Sequence, residues 1–126
     1  MKHNSYIIIK MHSFDQLNLS SDSLKILKGL KFENPTPIQE KVIPVALQGN
    51  DVMGTAQTGS GKTLSYILPI VEKLRKNLNH KFLILAPTRE LSEQVFSVAK
   101  IFLGHGKPFK AILVHVFKWY DWVIHK

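Results

Sequence analysis

Eight residues constrain this chain more than any others: Ala56-Gln57-Thr58-Gly59-Ser60-Gly61-Lys62-Thr63. They follow a short strand-like stretch, Asp51-Val52-Met53, and open a predicted helix from Lys62 to Lys76. Leu64, Ile67, Leu68, Val71 and Leu74 recur there at helical spacing, although Pro69 sits inside the pattern. A loop between strand and helix can gather backbone N–H groups toward one point, and glycine allows the curl because it has no Cβ to clash. The helix behind it adds the positive end of its dipole. The lysine reaches outer phosphates, and the hydroxyl after it can ligate Mg²⁺. All four parts stand here in the right order. Ala56 is the one departure, since the strict pattern has glycine there. The plain alternative is a Gly/Ser turn entering an ordinary helix, and the strand–loop–helix context argues against it.

The flanking sequence extends an α/β pattern. A helix is expected over 19–31, capped by Ser20 or Ser21, with Leu24, Ile26, Leu27 and Leu30 on its inner face. Asn34-Pro35-Thr36-Pro37 breaks it. A second helix begins at Thr36 and carries Ile38, Val42, Val45 and Ala46; Pro44 should kink or divide it. Phe82-Leu83-Ile84-Leu85-Ala86 is a continuous apolar run of strand length, the mark of a strand buried on both faces of a parallel sheet. Thr88 then caps a helix with Leu91, Val95, Val98, Ala99 and Phe102 inside, closed by Gly104-His105-Gly106. Phe109 to Phe117 is a third strand candidate. The alternation predicts a parallel sheet with flanking helices and right-handed crossovers.

Composition removes several function classes. The 126 residues suit about one domain, and 44% hydrophobic with 21% charged residues describes a folded chain. Seventeen Lys plus Arg against nine Asp plus Glu give a net charge of +8, which favours polyanionic partners such as nucleic acid, or an acidic membrane surface. Only Arg75 and Arg89 are arginines, so this is not an arginine-rich binder. The absence of cysteine excludes disulfides, thiolate zinc sites and a cysteine nucleophile. No two of the six histidines fall at i, i+4 and no carboxylate cluster adjoins them, which argues against a histidine metal site. No apolar run approaches the roughly 20 residues of a membrane helix. Tyr6 to Ile9 is too short for a signal-peptide core, so the expected location is the cytoplasm, without membrane contact.

Two further segments carry chemistry. In Lys31-Phe32-Glu33-Asn34-Pro35-Thr36-Pro37-Ile38-Gln39, Gln39 offers a donor and an acceptor that match the N6 and N7 edge of adenine. Thr36-x-x-Gln39 with Pro37 at the first helical position equally describes a capping box, and spacing alone leaves both readings open. Phe32 is open in the same way, as a stacking ring or a core aromatic. Ala86-Pro87-Thr88-Arg89-Glu90-Leu91 sits at a strand-to-helix turn, where helix N–H groups, a Thr hydroxyl and an Arg can together hold a phosphate backbone. An N-cap Thr88 followed by a solvated Arg89 and Glu90 is the alternative.

Phe14, Phe32 to Gln39, Ala56 to Thr63 and Pro87-Thr88-Arg89-Glu90-Leu91, in this order, resemble the N-terminal part of the DEAD-box ATP-dependent RNA helicases. The resemblance covers roughly Met11 to Val114. It implies an incomplete RecA-like P-loop domain, with ATP and Mg²⁺ as ligands and RNA as a partner. It assigns Phe14 through Gln39 to the family's Q motif, with Phe32 stacking on adenine and Gln39 reading its edge. Ala56 to Thr63 would hold the phosphates, with Lys62 at the β/γ groups and Thr63 on Mg²⁺. Thr88 and Arg89 would touch the RNA backbone. Lys31 departs from the pattern, because the family usually has glycine before the Phe.

The expected division is an uninformative extension at 1–10 (Met11 being a second candidate start), a Q-motif segment at 11–40, the first part of a helicase ATP-binding domain at 41–116, and a divergent tail at 117–126. The 126 residues contain no Asp-Glu-Ala-Asp, no Ser-Ala-Thr and no second domain. Asp121, set among aromatics, is not accepted as the missing Mg²⁺ carboxylate. The tail reads as a partner-binding surface or as sequence unrelated to the family. The resulting expectation is a truncated helicase-like chain that binds ATP but neither hydrolyses it nor unwinds RNA alone. The rivals are an RNA-dependent ATPase completed by another chain, a non-enzymatic basic RNA-binding module, and a remnant without function.

Overall fold

The structure is a computed structural model that describes residues 13–104 and 110–114. The extension at 1–10, the candidate start at Met11, the tail at 117–126 with Asp121, and the ends of the third strand candidate lie outside the described residues.

Among the described residues four helices follow a 3-10 turn at Phe14–Leu17: α1 Ser21–Gly29, α2 Pro37–Leu47, α3 Lys62–Lys76 and α4 Arg89–Leu103. Their ends are local chemistry. Ser20 caps α1 by accepting from Ser23 N–H, and Thr88 caps α4 by accepting from Leu91 N–H. α1 closes as a Schellman motif: Lys31 N–H donates to Lys28 O at 3.0 Å and Phe32 N–H to Leu27 O at 2.9 Å. Lys31 accordingly takes a left-handed φ of 60°, a conformation that favours glycine. α2 runs through Pro44 and α3 through Pro69 as single elements, so neither proline divides its helix. Each removes one helical N–H, and packing of the surrounding turns compensates for it.

α3 is the central element, packed against α2 and α4; α1 touches α4, and the 3-10 turn touches α2. Leu27, Ile43, Ile67, Leu68, Val71, Val95 and Phe102 are buried together with Phe14, Leu17 and Leu19. α2 departs from expectation. Its buried positions are Gln39 and Ile43, whereas Ile38, Val42 and Ala46 line an open groove and Val45 is exposed. The stripe read from sequence is therefore the one turned away from the core.

No strand forms among the described residues. Asp51-Val52-Met53, Phe82 to Ala86 and residues 110–114 lack regular structure, and no backbone hydrogen bond joins 51–54 or 82–85 to another described residue. The expectation of a strand buried on both faces fails here: Leu83 and Leu85 are 82% and 83% exposed. Phe82 and Ile84 are less so, at 41% and 37%, which is the alternation of a strand without its ladder. The cause is physical. A helix satisfies its own backbone, whereas a strand is stable only against a neighbour that supplies the opposite N–H and C=O groups.

Candidate functional site

The glycine-rich segment forms a tight loop into α3. Gly59 and Gly61 take φ of 79° and 84°, and Ser60 N–H donates to Gln57 O at 3.2 Å. Gly61 is the N-cap of α3, so the first helical N–H groups open toward the loop. Lys62 folds over it, its Nζ donating to Ala56 O at 2.6 Å. Ala56 thus acts through its carbonyl, and its departure from glycine leaves the loop closed. Ser60 Oγ is buried within the loop with no hydrogen-bond partner. Thr63 sits half-buried one position into the helix.

Gln39 joins this loop to the segment upstream. It is 3% exposed, accepts from Thr36 N–H through Oε1 at 2.9 Å, and donates from Nε2 to Gly61 O at 3.0 Å. The helix-cap contact of the capping reading is present. The amide has two hydrogens and two carbonyl lone pairs, so one of each remains. The fit around Gly61 is close: a Cβ there would lie 2.5 Å from Gln39 Nε2 and 3.1 Å from Thr36 Oγ1. Thr36 Oγ1 is itself buried without a partner.

A cavity of about 450 Å³ opens between these parts. Phe14, Leu30 and Phe32 form one wall; Val98, Ile101 and Phe102 of α4 form the other; Gln39, Gly59, Gly61 and Thr63 lie at its base. Phe32 is 48% exposed, which places it at the rim and not in the core. A larger void of about 670 Å³ lies on the other side, between α2, α3 and the open segments near Val52 and Leu83. Lys62 lines this larger void together with Asn50, Asp51, Ser65 and Lys73, whereas Gly59, Gly61, Thr63 and Gln39 line the smaller one, so the loop lies between the two.

Residues 36–117 match the family model described as DEAD/DEAH box helicase. The chain belongs to this family. It is 52% identical over 91 residues to the ATP-dependent RNA helicase drs1 of Aspergillus niger, covering 69% of this chain and 11% of that relative. It also resembles the RNA helicase Prp28 from Chaetomium thermophilum bound to ADP, at 41% identity and TM-score 0.67, covering 73% of this chain and 24% of that one. Dbp5 of S. cerevisiae bound to RNA and ADP BeF3 matches at 32% identity and TM-score 0.62, over 72% of this chain and 24% of that one. The chain thus spans about a tenth of the curated relative and a quarter of the solved chains, and its described part has the likeness of a RecA-like helicase domain.

The third DEAD-box segment stands apart from the cavity. Thr88 Oγ1 is engaged in the α4 cap, and Arg89 Nε pairs with Glu93 Oε1 at 3.2 Å. Arg89 and Glu93 are 70% and 51% exposed at their side chains, a surface pair worth little and easily exchanged. Neither Thr88 nor Arg89 lines either void. The structure brings together Phe32, Gln39 and the loop, and leaves Thr88 and Arg89 on a separate surface.

Sequence reasoning missed a polar network behind the cavity. Glu72, 5% exposed, accepts from Ser20 Oγ, Ser23 Oγ and Ser20 N–H, and pairs with Arg75 at 3.2 Å. Sequence reasoning does not single out this i, i+3 pair. The usable signal was its phase, since Leu68, Glu72 and Arg75 continue one buried stripe at i, i+4, i+7. Among the described residues no group of three His, Cys, Asp or Glu could hold a metal ion, and no helix is long and apolar enough to cross a membrane.

Proposed function

We propose that this chain binds ATP in the cavity bounded by Phe32, Gln39 and the Ala56–Thr63 loop, as the nucleotide-binding part of a DEAD-box RNA helicase. The observation that carries this reading is the bond from Gln39 Nε2 to Gly61 O, which ties the base-reading segment to the phosphate cradle across one cavity. Phe32 at the rim offers its ring face to the base, and the free hydrogen and lone pair of Gln39 suit the N6 and N7 edge of adenine. The loop N–H groups, the α3 N-terminus and Lys62 receive the phosphates, Lys62 releasing Ala56 O to do so. Thr63 would hold Mg²⁺, an ion that takes few protein ligands beside substrate phosphates and neutralises charge between them.

The 126 residues supply this binding chemistry without the groups that drive turnover. Among the described residues neither a carboxylate nor an arginine lines the cavity, and an arginine at the γ-phosphate is worth roughly 10³–10⁵ in rate in related nucleotidases. Binding without hydrolysis by these residues alone is the expected behaviour. A chain that offered neighbouring strands to residues 51–54 and 82–86 would complete a parallel sheet and restore the context for turnover. Thr88 and Arg89 form an RNA-backbone contact, supported by their exposure at the start of α4 and the weak hold of Glu93 on Arg89.

The test is anisotropy of a fluorescent ATP analogue on the purified chain. Lys62→Ala removes a charged phosphate contact and should weaken binding by about 2–3 kcal/mol. Gln39→Ala should cost about 1–3 kcal/mol of preference for ATP over GTP. Equal affinity of wild type and Lys62→Ala removes the nucleotide reading; full adenine preference in Gln39→Ala reduces that residue to a helix cap.

A further inference from the structure

Buried Glu72 and partly buried Arg75 lie too far from the phosphate loop to meet a triphosphate, about 15–20 Å along α3 from Lys62 at 1.5 Å per residue. Their contacts run elsewhere. Glu72 takes Ser20 Oγ at 2.8 Å and Ser23 Oγ at 2.6 Å on Oε1, and Ser20 N–H at 3.1 Å on Oε2, so a carboxylate from α3 sits at the N-terminus of α1. Arg75 donates from Nη1 to Ser20 Oγ and Ser23 Oγ, and from Nη2 to Phe102 O at 3.0 Å in the last turn of α4. The negative charge thus meets the positive end of one helix, and the positive charge meets the negative end of another. A buried ion pair is weak evidence for stability in itself, because apolar residues of similar volume often serve as well. Here both members hold the N-terminus of α1 and Arg75 also reaches the end of α4, so the pair joins the two helices that carry the walls of the cavity. α1 exits through Leu30 and Phe32; α4 ends with Val98, Ile101 and Phe102. α3 carries the loop between them.

We propose that Glu72 and Arg75 form a positioning clamp that fixes the two walls of the base cavity relative to the phosphate loop, and so sets base selectivity without touching the nucleotide. The proposal rests on the reading that the cavity takes an adenine nucleotide. It separates two parts of affinity. Contacts of the phosphates belong to the loop and Lys62, which the clamp does not reach. Contacts of the base belong to walls whose spacing the clamp holds.

The experiment measures competition by ATP, GTP and inorganic tripolyphosphate on wild type, Glu72→Gln, Arg75→Met and the conservative Arg75→Lys. Loosened walls should lower ATP affinity about tenfold and narrow the ATP-over-GTP ratio about fivefold, the scale of discrimination a pocket wall provides. Tripolyphosphate affinity should stay within about twofold, and Arg75→Lys should recover part of the ratio, since lysine keeps the charge but loses the fork. An unchanged ratio overturns the clamp, as does an equal loss for tripolyphosphate. If Arg75→Met fails to fold, amide exchange of Glu72→Gln decides: the clamp requires faster exchange at Leu30 and Phe32, and acceleration confined to residues 20–24 refutes it. Wild type that fails to bind ATP removes the nucleotide reading, whereas wild type that binds with unchanged selectivity in the variants removes the clamp alone.

Discussion

The two sides of α3 are built to different standards. Toward α1 and α4, the cavity walls and loop are joined by bonds such as Gln39 to Gly61 and Arg75 to Phe102, with Phe14, Leu27 and Phe102 buried behind them. Toward the groove beside α2, Val52, Phe82 and Leu83 line an open void, Phe82 stands edge-on to His80 with ring centroids 6.1 Å apart, and Met53 is 97% exposed. The cavity side is assembled from helices, caps and a glycine loop, whose backbone groups find partners locally or against an adjacent helix. The open side consists of segments whose backbone needs another strand. The described residues thus pack tightly around the cavity and leave residues 51–54 and 82–85 without backbone partners.

The change that should damage this contrast most is Gly61→Ala. Its Cβ would meet Gln39 Nε2, and a left-handed φ costs a Cβ-bearing residue about 1–2 kcal/mol before that clash is counted. Urea unfolding should show a loss of at least that size, with ATP binding lost as well. A smaller, opposite effect is expected of Lys31→Gly, which relieves the positive φ at the end of α1. Chain-entropy cost offsets part of the relief, leaving a gain of about 0.5–1 kcal/mol in the same assay. Smallest should be Leu83→Lys with Leu85→Lys on the open side. Both positions are exposed, so stability should move by no more than about 0.5 kcal/mol. Solubility measured by light scattering should rise, because a charged edge resists strand pairing between copies.

What the sequence could convey follows the same division. α3 and α4 begin at Lys62 and Arg89 as their loops and caps require, and the Phe32–Gln39 and Ala56–Thr63 segments meet as their motifs suggest. Periodicity misled at α2, because Ile38, Val42 and Ala46 form a proper apolar stripe that faces the unpaired groove while Ile43 goes inside. At Phe82 to Ala86 it predicted a strand, and the described residues provide no neighbouring strand to pair with it. Glu72 and Arg75 stayed hidden for a third reason: whether a charged pair is solvated or buried depends on α1 and α4, about 50 and 30 residues away in sequence.

Amide hydrogen exchange, read residue by residue with and without ATP, tests the contrast most directly. Slow exchange is expected in α3 in the free chain, with added protection at residues 57–63 and at Gln39 once ATP is present. Residues 51–54 and 82–85 should exchange fast in both states. Protection of 82–85 equal to that of α3, or residues 57–63 left unchanged by saturating ATP, would contradict the division of this chain into a prepared nucleotide side and an unpaired sheet side.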